Sequence, residues 1–379
     1  MSRGTCAVID LAALRHNYSV IKQRVGNSKV LAVVKADGYG HGMTSIAKAL
    51  PQSDGFGVAI LEEALLLRAA GITQKILMLE GALSLDELKQ ASVSNVDVVV
   101  HQLEQVTDIE KVGSEVLSGG AALGASLNVW LKIDTGMHRL GVDPSDVLAA
   151  YQRLRSCAWV QSITLMSHFS CADEIGSAVS DAQFRMFNRL HQGLLEKPAF
   201  SEYLLPASLA NSAGIFQEKQ YHFNWVRPGI ALYGSSPIEG QSAEELGLKP
   251  VMTLVSRIIA LRTVPQGESV GYGASWTAKL DTHVAIVAIG YGDGYPRHMK
   301  DSAQVSVGGS LCDVVGRVSM DMIAVDVSRV STVALNDAVT LWGKGLPVEH
   351  VAEWAGTVNY ELLCQVTDRV DHRYLDVQG

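Results

Sequence analysis

The sequence predicts an α/β protein: a (β/α)8 TIM-like barrel over residues 1–234, followed by a separate, mostly-β C-terminal domain over residues 235–379. Three observations carry this. From about residue 28, short β-branched runs alternate with amphipathic segments, and eight such runs match the strand number and the usual span, roughly 230 residues, of that barrel. After Gly234, a loop rich in Ser, Pro, Glu and Gly (235–247) breaks the rhythm. Beyond it, β-branched alternation punctuated by closely spaced turn signals replaces the helical patterns. A doubly wound sheet is the alternative for the first part.

The elements follow in order. Residues 10–25 read as a leading helix capped by Asp10, whose carboxylate can accept the free amides of a first turn. Candidate barrel strands lie at 29–35, 55–60, 75–79, 96–100, 127–133, 160–166, 203–205 and 225–232. Helical periodicity fills 61–70, 84–91 and 181–195. In the second domain, strands are expected at 252–264, 283–289, 312–318, 322–327 and 338–342, with turns at Pro265-Gln266-Gly267 and Gly308-Gly309. No internal repeat or low-complexity tract interrupts this plan.

The charge balance excludes several partners. Thirty-one Lys+Arg against 39 Asp+Glu leave a net charge of −8, and no basic run offers a stripe for phosphates, so a nucleic-acid partner is not expected. Apolar runs are strand-sized, well short of the roughly 18 residues of a membrane span. The first ten residues reach Asp10 before a signal-peptide core could form, so the expected location is cytoplasmic. Five widely spaced cysteines with no Cys-x-x-Cys pair suggest neither a disulfide framework nor a metal site. The 35 glycines against 10 prolines remain to be explained.

The first barrel strand ends at Lys35, after the apolar run Val30-Leu31-Ala32-Val33-Val34, and runs into Ala36-Asp37-Gly38-Tyr39-Gly40-His41-Gly42. Barrel enzymes keep their reactive groups at the carboxyl ends of the strands. A lysine there meets a dry wall, and burial favours the neutral amine that can condense with an aldehyde. On spacing alone, a solvated strand-end lysine is equally compatible. The glycine cluster lacks the Gly-Lys-Ser/Thr ending of a phosphate loop.

The segment from Ala32 to Gly42 resembles the pyridoxal 5'-phosphate attachment motif of the alanine racemase family. Residues 131–141 (LKIDTGMHRLG) are similar to a second family signature, and further matches follow in family order: 166–169, 210–214, 226–234, 270–273, 289–294, 316–321 and 359–361. They cover nearly the whole chain. The resemblance implies pyridoxal phosphate as cofactor and a barrel followed by a β domain. The implied activity is two-base interconversion of L- and D-alanine, an isomerase reaction that supplies D-alanine for peptidoglycan.

The resemblance also implies roles. Lys35 is the attachment point and the base acting on the D-isomer; Tyr272 is the base on the opposite face, acting on the L-isomer. A phenol is a poor base near neutrality, so a cationic neighbour is expected beside Tyr272. Arg227 faces the ring nitrogen of the cofactor, and His168 orients it. Because arginine does not readily surrender a proton, the ring is left a moderate electron sink, which limits side reactions such as transamination. Tyr39, Asn211, Ser212, Gly229, Ile230 and Tyr360 hold the phosphate, Asn211 opening a helix whose amino end favours anions. Arg139 and the Met320 amide bind the substrate carboxylate; Lys132, often carbamylated in the family, props Arg139, and Asp321 and Tyr291 support the site. Ser319 stands where many relatives carry cysteine, which puts the side-chain contact at that position in doubt. A homodimer with active sites shared between subunits is also implied. A racemase of broader or serine specificity and a barrel-type amino-acid decarboxylase are the alternatives; Tyr360 and Met320 would keep the pocket small and favour alanine.

Overall fold

The computed structural model describes residues 3–118, 126–200 and 204–376. Eight parallel strands close into a barrel: β2 (Lys29–Val33), β3 (Gly55–Val58), β4 (Lys75–Met78), β5 (Val96–Val100), β6 (Leu127–Lys132), β7 (Val160–Met166), β8 (Ala207–Asn211) and β9 (Trp225–Arg227), with β2 paired to β9. Leu31, Leu77, Val99, Trp130, Met166 and Trp225 form a cluster of their own, separate from the main core, as inward-pointing barrel residues do. Their centre is the edge-to-face pair of Trp130 and Trp225, with ring centroids 5.5 Å apart. The leading helix spans Leu11–Val25, and the Asp10 carboxylate accepts the Ala13 amide at 2.9 Å.

Three strand expectations are corrected. The run at 203–205 is not the seventh barrel strand; Tyr203 lies outside the described residues, and the strand is β8, after Pro206. Its sequence Ala-Ser-Leu-Ala-Asn carries little β propensity, and pairing with β7 and β9 overrides that preference. The last barrel strand stops at Arg227, since Pro228 has no amide to donate, and the chain enters a 3-10 turn, Ile230–Tyr233. The first strand stops at Val33. Lys35 then opens a left-handed turn in which Ala36, Asp37, Gly38 and Tyr39 have φ between 50 and 63°.

Left-handed residues other than glycine cost about 1–2 kcal/mol each, so the turn needs external support. Asp37 caps the Met43 amide at 2.8 Å, Glu63 accepts the Ala36 amide at 2.8 Å, and His372 donates to the Gly40 carbonyl at 2.9 Å. His41 is fully buried beneath the turn, its Nδ1 2.8 Å from the Tyr39 carbonyl and 3.0 Å from that of Gly38, so Nδ1 carries the proton. Burial pushes this ring down to about 4. The unfolded chain therefore binds a proton below pH 6.5 that the native state refuses until about pH 4, and stability is lost as pH falls through that window. The expected loss from this one ring is about 3 kcal/mol. Urea midpoints measured across the window should fall less steeply for His41→Asn than for the native chain; equal slopes would contradict the assignment.

The second layer is an eight-stranded sheet. Its strands are β1 (Cys6–Asp10), β10 (Met252–Val264), β13 (Thr282–Val287), β14 (Gln304–Val307), β15 (Ser310–Val315), β16 (Ile323–Asp326), β17 (Ala338–Trp342) and β18 (Asp371–Leu375). A small hairpin, β11 (Ser269–Val270) with β12 (Trp276–Thr277), projects from it. β1 pairs antiparallel with β10 and parallel with β18. A cut at residue 234 thus leaves Cys6–Asp10 with the barrel in sequence although their hydrogen bonds lie in the second sheet. Two short helices, Val348–Ala355 and Asn359–Cys364, also belong to this part of the chain.

Candidate active site

Lys35, Lys132, His168, Asn211, Ser212 and Arg227 all stand at or just beyond the carboxyl ends of barrel strands, so the topology gathers them at one mouth. Their charges act on one another. Burial pushes the Lys132 amine down to about 8, and the neighbouring charges of Arg227, Arg139 and Lys35 push the same way. Among the described residues, the one carboxylate that its amine feels, Asp134, counts least. His168 is held neutral, well below its ordinary value, by burial and by the same cations, Arg227 first. Four cationic side chains around a neutral imidazole make this mouth a receptor for anions, inside a chain whose net charge is −8.

Arg227 is 4% exposed. Its guanidinium donates to Ser208 Oγ at 2.5 Å, to the Ser167 carbonyl at 2.6 Å and to the Leu209 carbonyl at 3.2 Å, and stands 3.4 Å from His168 Nδ1. Burial lowers it to about 10, still far enough above neutrality to keep the charge. No carboxylate is among these partners, so the positive charge remains available to an acceptor at the mouth.

A cradle of backbone lies beside it. Ser212 Oγ accepts the amides of Gly229 at 2.8 Å and Ala231 at 3.3 Å, and Asn211 caps the Gly214 amide at 2.9 Å. Tyr39 stacks on Tyr233 with centroids 4.7 Å apart and approaches Tyr360 at 6.1 Å. Burial pushes the Tyr39 phenol up and that of Tyr360 up to about 12, so both remain hydrogen-bond donors. A Cβ on Gly229 would stand 2.3 Å from the Tyr39 hydroxyl. Hydroxyls and amides thus converge where a glycine leaves room, which suits an oxyanion such as phosphate.

Arg139 lies exposed on the loop after β6. That loop is pinned at its base by the Val142 amide donating to the Lys132 carbonyl at 2.8 Å, and Asp134 accepts the amides of Gly136 and His138 at 2.9 and 3.1 Å.

The remaining sequence candidates sit on the second sheet. Tyr272 follows β11 in the turn between Gly271 and Gly273 and is 72% exposed; Met320 is 52% and Tyr291 40% exposed. Among the described residues, no hydrogen bond or ring contact ties the Tyr272 side chain to its own barrel. The Arg317 guanidinium packs on this turn, its Nη1 3.2 Å from where a Cβ on Gly273 would be, so a cation does stand beside the Tyr272 segment. Asp321 pairs with Arg369 at 2.7 Å. Ser319 Oγ donates to the Met322 carbonyl at 2.6 Å, which occupies the hydroxyl within its own turn.

Residues 9–237 match the family model described as "Alanine racemase, N-terminal domain", and residues 251–374 match "Alanine racemase, C-terminal domain". The chain belongs to the alanine racemase family. It is 46% identical over 373 residues to the alanine racemase of Vibrio vulnificus (strain CMCP6), covering 98% of this chain and 99% of that one. The crystal structure of the biosynthetic alanine racemase from Pseudomonas aeruginosa superposes with a TM-score of 0.90 at 44% identity, over 99% of this chain and 100% of that one. The alanine racemase from Bartonella henselae, solved with covalently bound pyridoxal phosphate, gives a TM-score of 0.86 at 28% identity, over 98% and 99% of the two chains.

Some residues of this racemase-family site escaped the sequence reading. Ser208 and Ser167 hold Arg227, and Tyr233 packs the cradle while donating to the Val33 carbonyl at 2.9 Å. Ser208 was hidden because β8 was sought four residues too early. Arg317 carried no signal beyond its motif, since its contact with the Tyr272 turn joins residues 44 positions apart.

Proposed function

We propose that this protein is a pyridoxal 5'-phosphate-dependent alanine racemase that interconverts L- and D-alanine with two bases, Lys35 and Tyr272. The observation that carries the proposal is the joining, at one barrel mouth, of a strand-end lysine, a buried arginine free of carboxylates and an amide-lined cradle. The residues fit the cofactor: Ser212, Tyr39, Tyr360 and the amides of Gly229 and Ile230 would hold its phosphate, Arg227 would face its ring nitrogen, and Lys35 would be its covalent anchor. When bound, the cofactor withdraws electrons from the α-carbon of an amino acid and so acidifies the proton there.

The chain's own groups do the rest. Arg227, buried and hydrogen-bonded on three sides, keeps its proton and would donate a hydrogen bond to the cofactor ring without protonating it. The Lys35 amine takes or returns the proton on one face of the substrate, and the Tyr272 hydroxyl on the other. Arg139 and the Met320 amide bind the carboxylate. A Lys132 amine at about 8 is partly neutral under physiological conditions, the form that adds CO2 to give a carbamate and a released proton. The resulting anion would neutralise part of the surrounding cationic charge and prop Arg139; electron density showing an unmodified Lys132 amine in crystals grown in bicarbonate at pH 8 would refute this.

The exposure of Tyr272, Met320 and Tyr291 supports a homodimer in which these residues complete the partner's barrel mouth. The likeness to the P. aeruginosa enzyme described as biosynthetic supports a biosynthetic role, which we read as a cytoplasmic supply of D-alanine to the cell wall.

The test is to incubate the pure protein with pyridoxal phosphate and either L-alanine or L-serine and to follow each D-isomer. D-alanine is expected to form fastest; none, with cofactor bound, would overturn the reading. Gly229→Ala should weaken cofactor binding roughly tenfold to a hundredfold, because overpacking against a stacked tyrosine costs about 1–3 kcal/mol. Titration of the apoprotein reads this directly.

A further inference from the structure

Four charged side chains away from the barrel mouth form one ion network that the reaction described above leaves unused. Arg3 Nη1 lies 3.1 Å and Arg369 Nε 3.4 Å from the same oxygen of Asp293. Arg369 Nη2 donates to Asp321 Oδ1 at 2.7 Å, and Arg3 Nη2 donates to the Asp321 carbonyl at 2.5 Å. Asp293 is 1% exposed, and its other oxygen accepts the Gly290 amide at 3.0 Å. A carboxylate so buried is costly unless paired, and here the pairing comes from guanidinium groups near opposite ends of the chain.

What the network holds is a pair of loops. The Tyr291 amide donates to the Ser319 carbonyl at 3.1 Å and the Gly292 amide to the Met320 carbonyl at 2.8 Å. The approach is as close as backbone allows: a Cβ on Gly290 would stand 2.2 Å from the Ser319 carbonyl oxygen, and one on Gly292 would stand 2.4 Å from Arg369 Nη1. The Ser319 C=O and the Met320 N–H belong to one planar trans peptide and point in opposite directions. Holding that carbonyl against Tyr291 therefore turns the Met320 N–H outward on the far side, and a hydrogen-bonded carbonyl also makes its own N–H a better donor.

We infer that Arg369, acting through Asp293 and Asp321, is a positioning residue that aims the Met320 amide at the substrate carboxylate. The inference rests on the racemase reading and deepens it: carboxylate recognition is set by a network that never touches the substrate and that includes Arg3, three residues into the chain.

The experiment uses the cofactor-loaded enzyme and propionate, which keeps the carboxylate and methyl of alanine but has no amine to react. Arg369→Ala should weaken propionate binding and raise KM for L-alanine together, by roughly tenfold to a hundredfold, with a smaller change in kcat, as for a lost charge-assisted hydrogen bond. Arg369→Lys should recover part of that affinity. Should Arg369→Ala fail to fold, Asp321→Asn, which removes only the half-exposed carboxylate, is read by the same two quantities. A folded, cofactor-loaded variant that racemises alanine and binds propionate like the native protein overturns this inference and leaves the racemase reading standing. A native protein that produces no D-alanine overturns the racemase reading itself.

Discussion

Lys35→Ala and Tyr272→Phe proteins, each inactive alone, are expected to regain about a quarter of native activity when their subunits are exchanged at random, and about half in purified heterodimers. Removing either base should cost on the order of 10²–10⁴ in rate, since proton transfer on one face is then lost. The recovery follows from geometry. Lys35 stands at the barrel mouth, whereas Tyr272 stands exposed beside the β11–β12 hairpin, and among the described residues no hydrogen bond or ring contact ties it to its own barrel. If each site takes its lysine from one chain and its tyrosine from the partner, a heterodimer carries one site with both defects and one with neither. Random exchange makes half of the dimers heterodimers, so a quarter of all sites are intact. Subunit composition is verified by mass under native conditions, and activity by D-alanine formation. Verified heterodimers with no activity would show that both bases come from the same chain.

Removing the buried guanidinium of Arg227 should be the most damaging single change outside the two bases. Arg227→Ala leaves Ser208 Oγ and the carbonyls of Ser167 and Leu209 without their donor in a buried site. Each unpaired buried acceptor costs about 1–3 kcal/mol. The barrel mouth would lose one of four cations, and His168, held neutral chiefly by burial and then by this charge, would protonate more readily as pH falls. The expected result is a clearly lowered urea midpoint together with loss of pyridoxal phosphate on dialysis. Arg227→Lys should keep part of the charge but not the planar fork that reaches three acceptors. A fully stable Arg227→Ala protein that retains its cofactor would contradict the role given to this residue.

Much of this architecture could be read from local pattern. The β-branched runs at 55–60, 75–79, 96–100, 127–133 and 160–166 coincide with β3 to β7 because parallel barrel strands, largely buried on both faces, show as mostly apolar segments, here broken only by polar residues such as Asp97, Asn128 and Gln161-Ser162. The strand-end rule singled out Lys35, whereas Lys132 and Arg227 were named by the family resemblance; the folded barrel brings all three to the carboxyl ends of its strands. Where pattern failed, a long-range interaction had outweighed local preference. β1 is a strand because β10 and β18 lie on either side of it, nearly 250 and 365 residues away. β8 is a strand despite its alanines because β7 and β9 leave it no other way to pair its amides.

The 35 glycines also divide more clearly. Some make turns, such as Gly308-Gly309 between β14 and β15; others, such as Gly229, Gly290 and Gly292, are places where a side chain would collide with a functional neighbour.

The amino-acid sequence alone determined the residue types of the site, their order and the barrel that carries them, because those depend on contiguous motifs and on the period of buried strands. Folding in three dimensions settled the rest: the left-handed turn that presents Lys35 and Tyr39, the lowered Lys132 amine, the ion network behind Met320 and the outward display of Tyr272. Each of these depends on groups far apart in the chain, and a pKa or a disfavoured backbone angle is set by what those distant groups place around it.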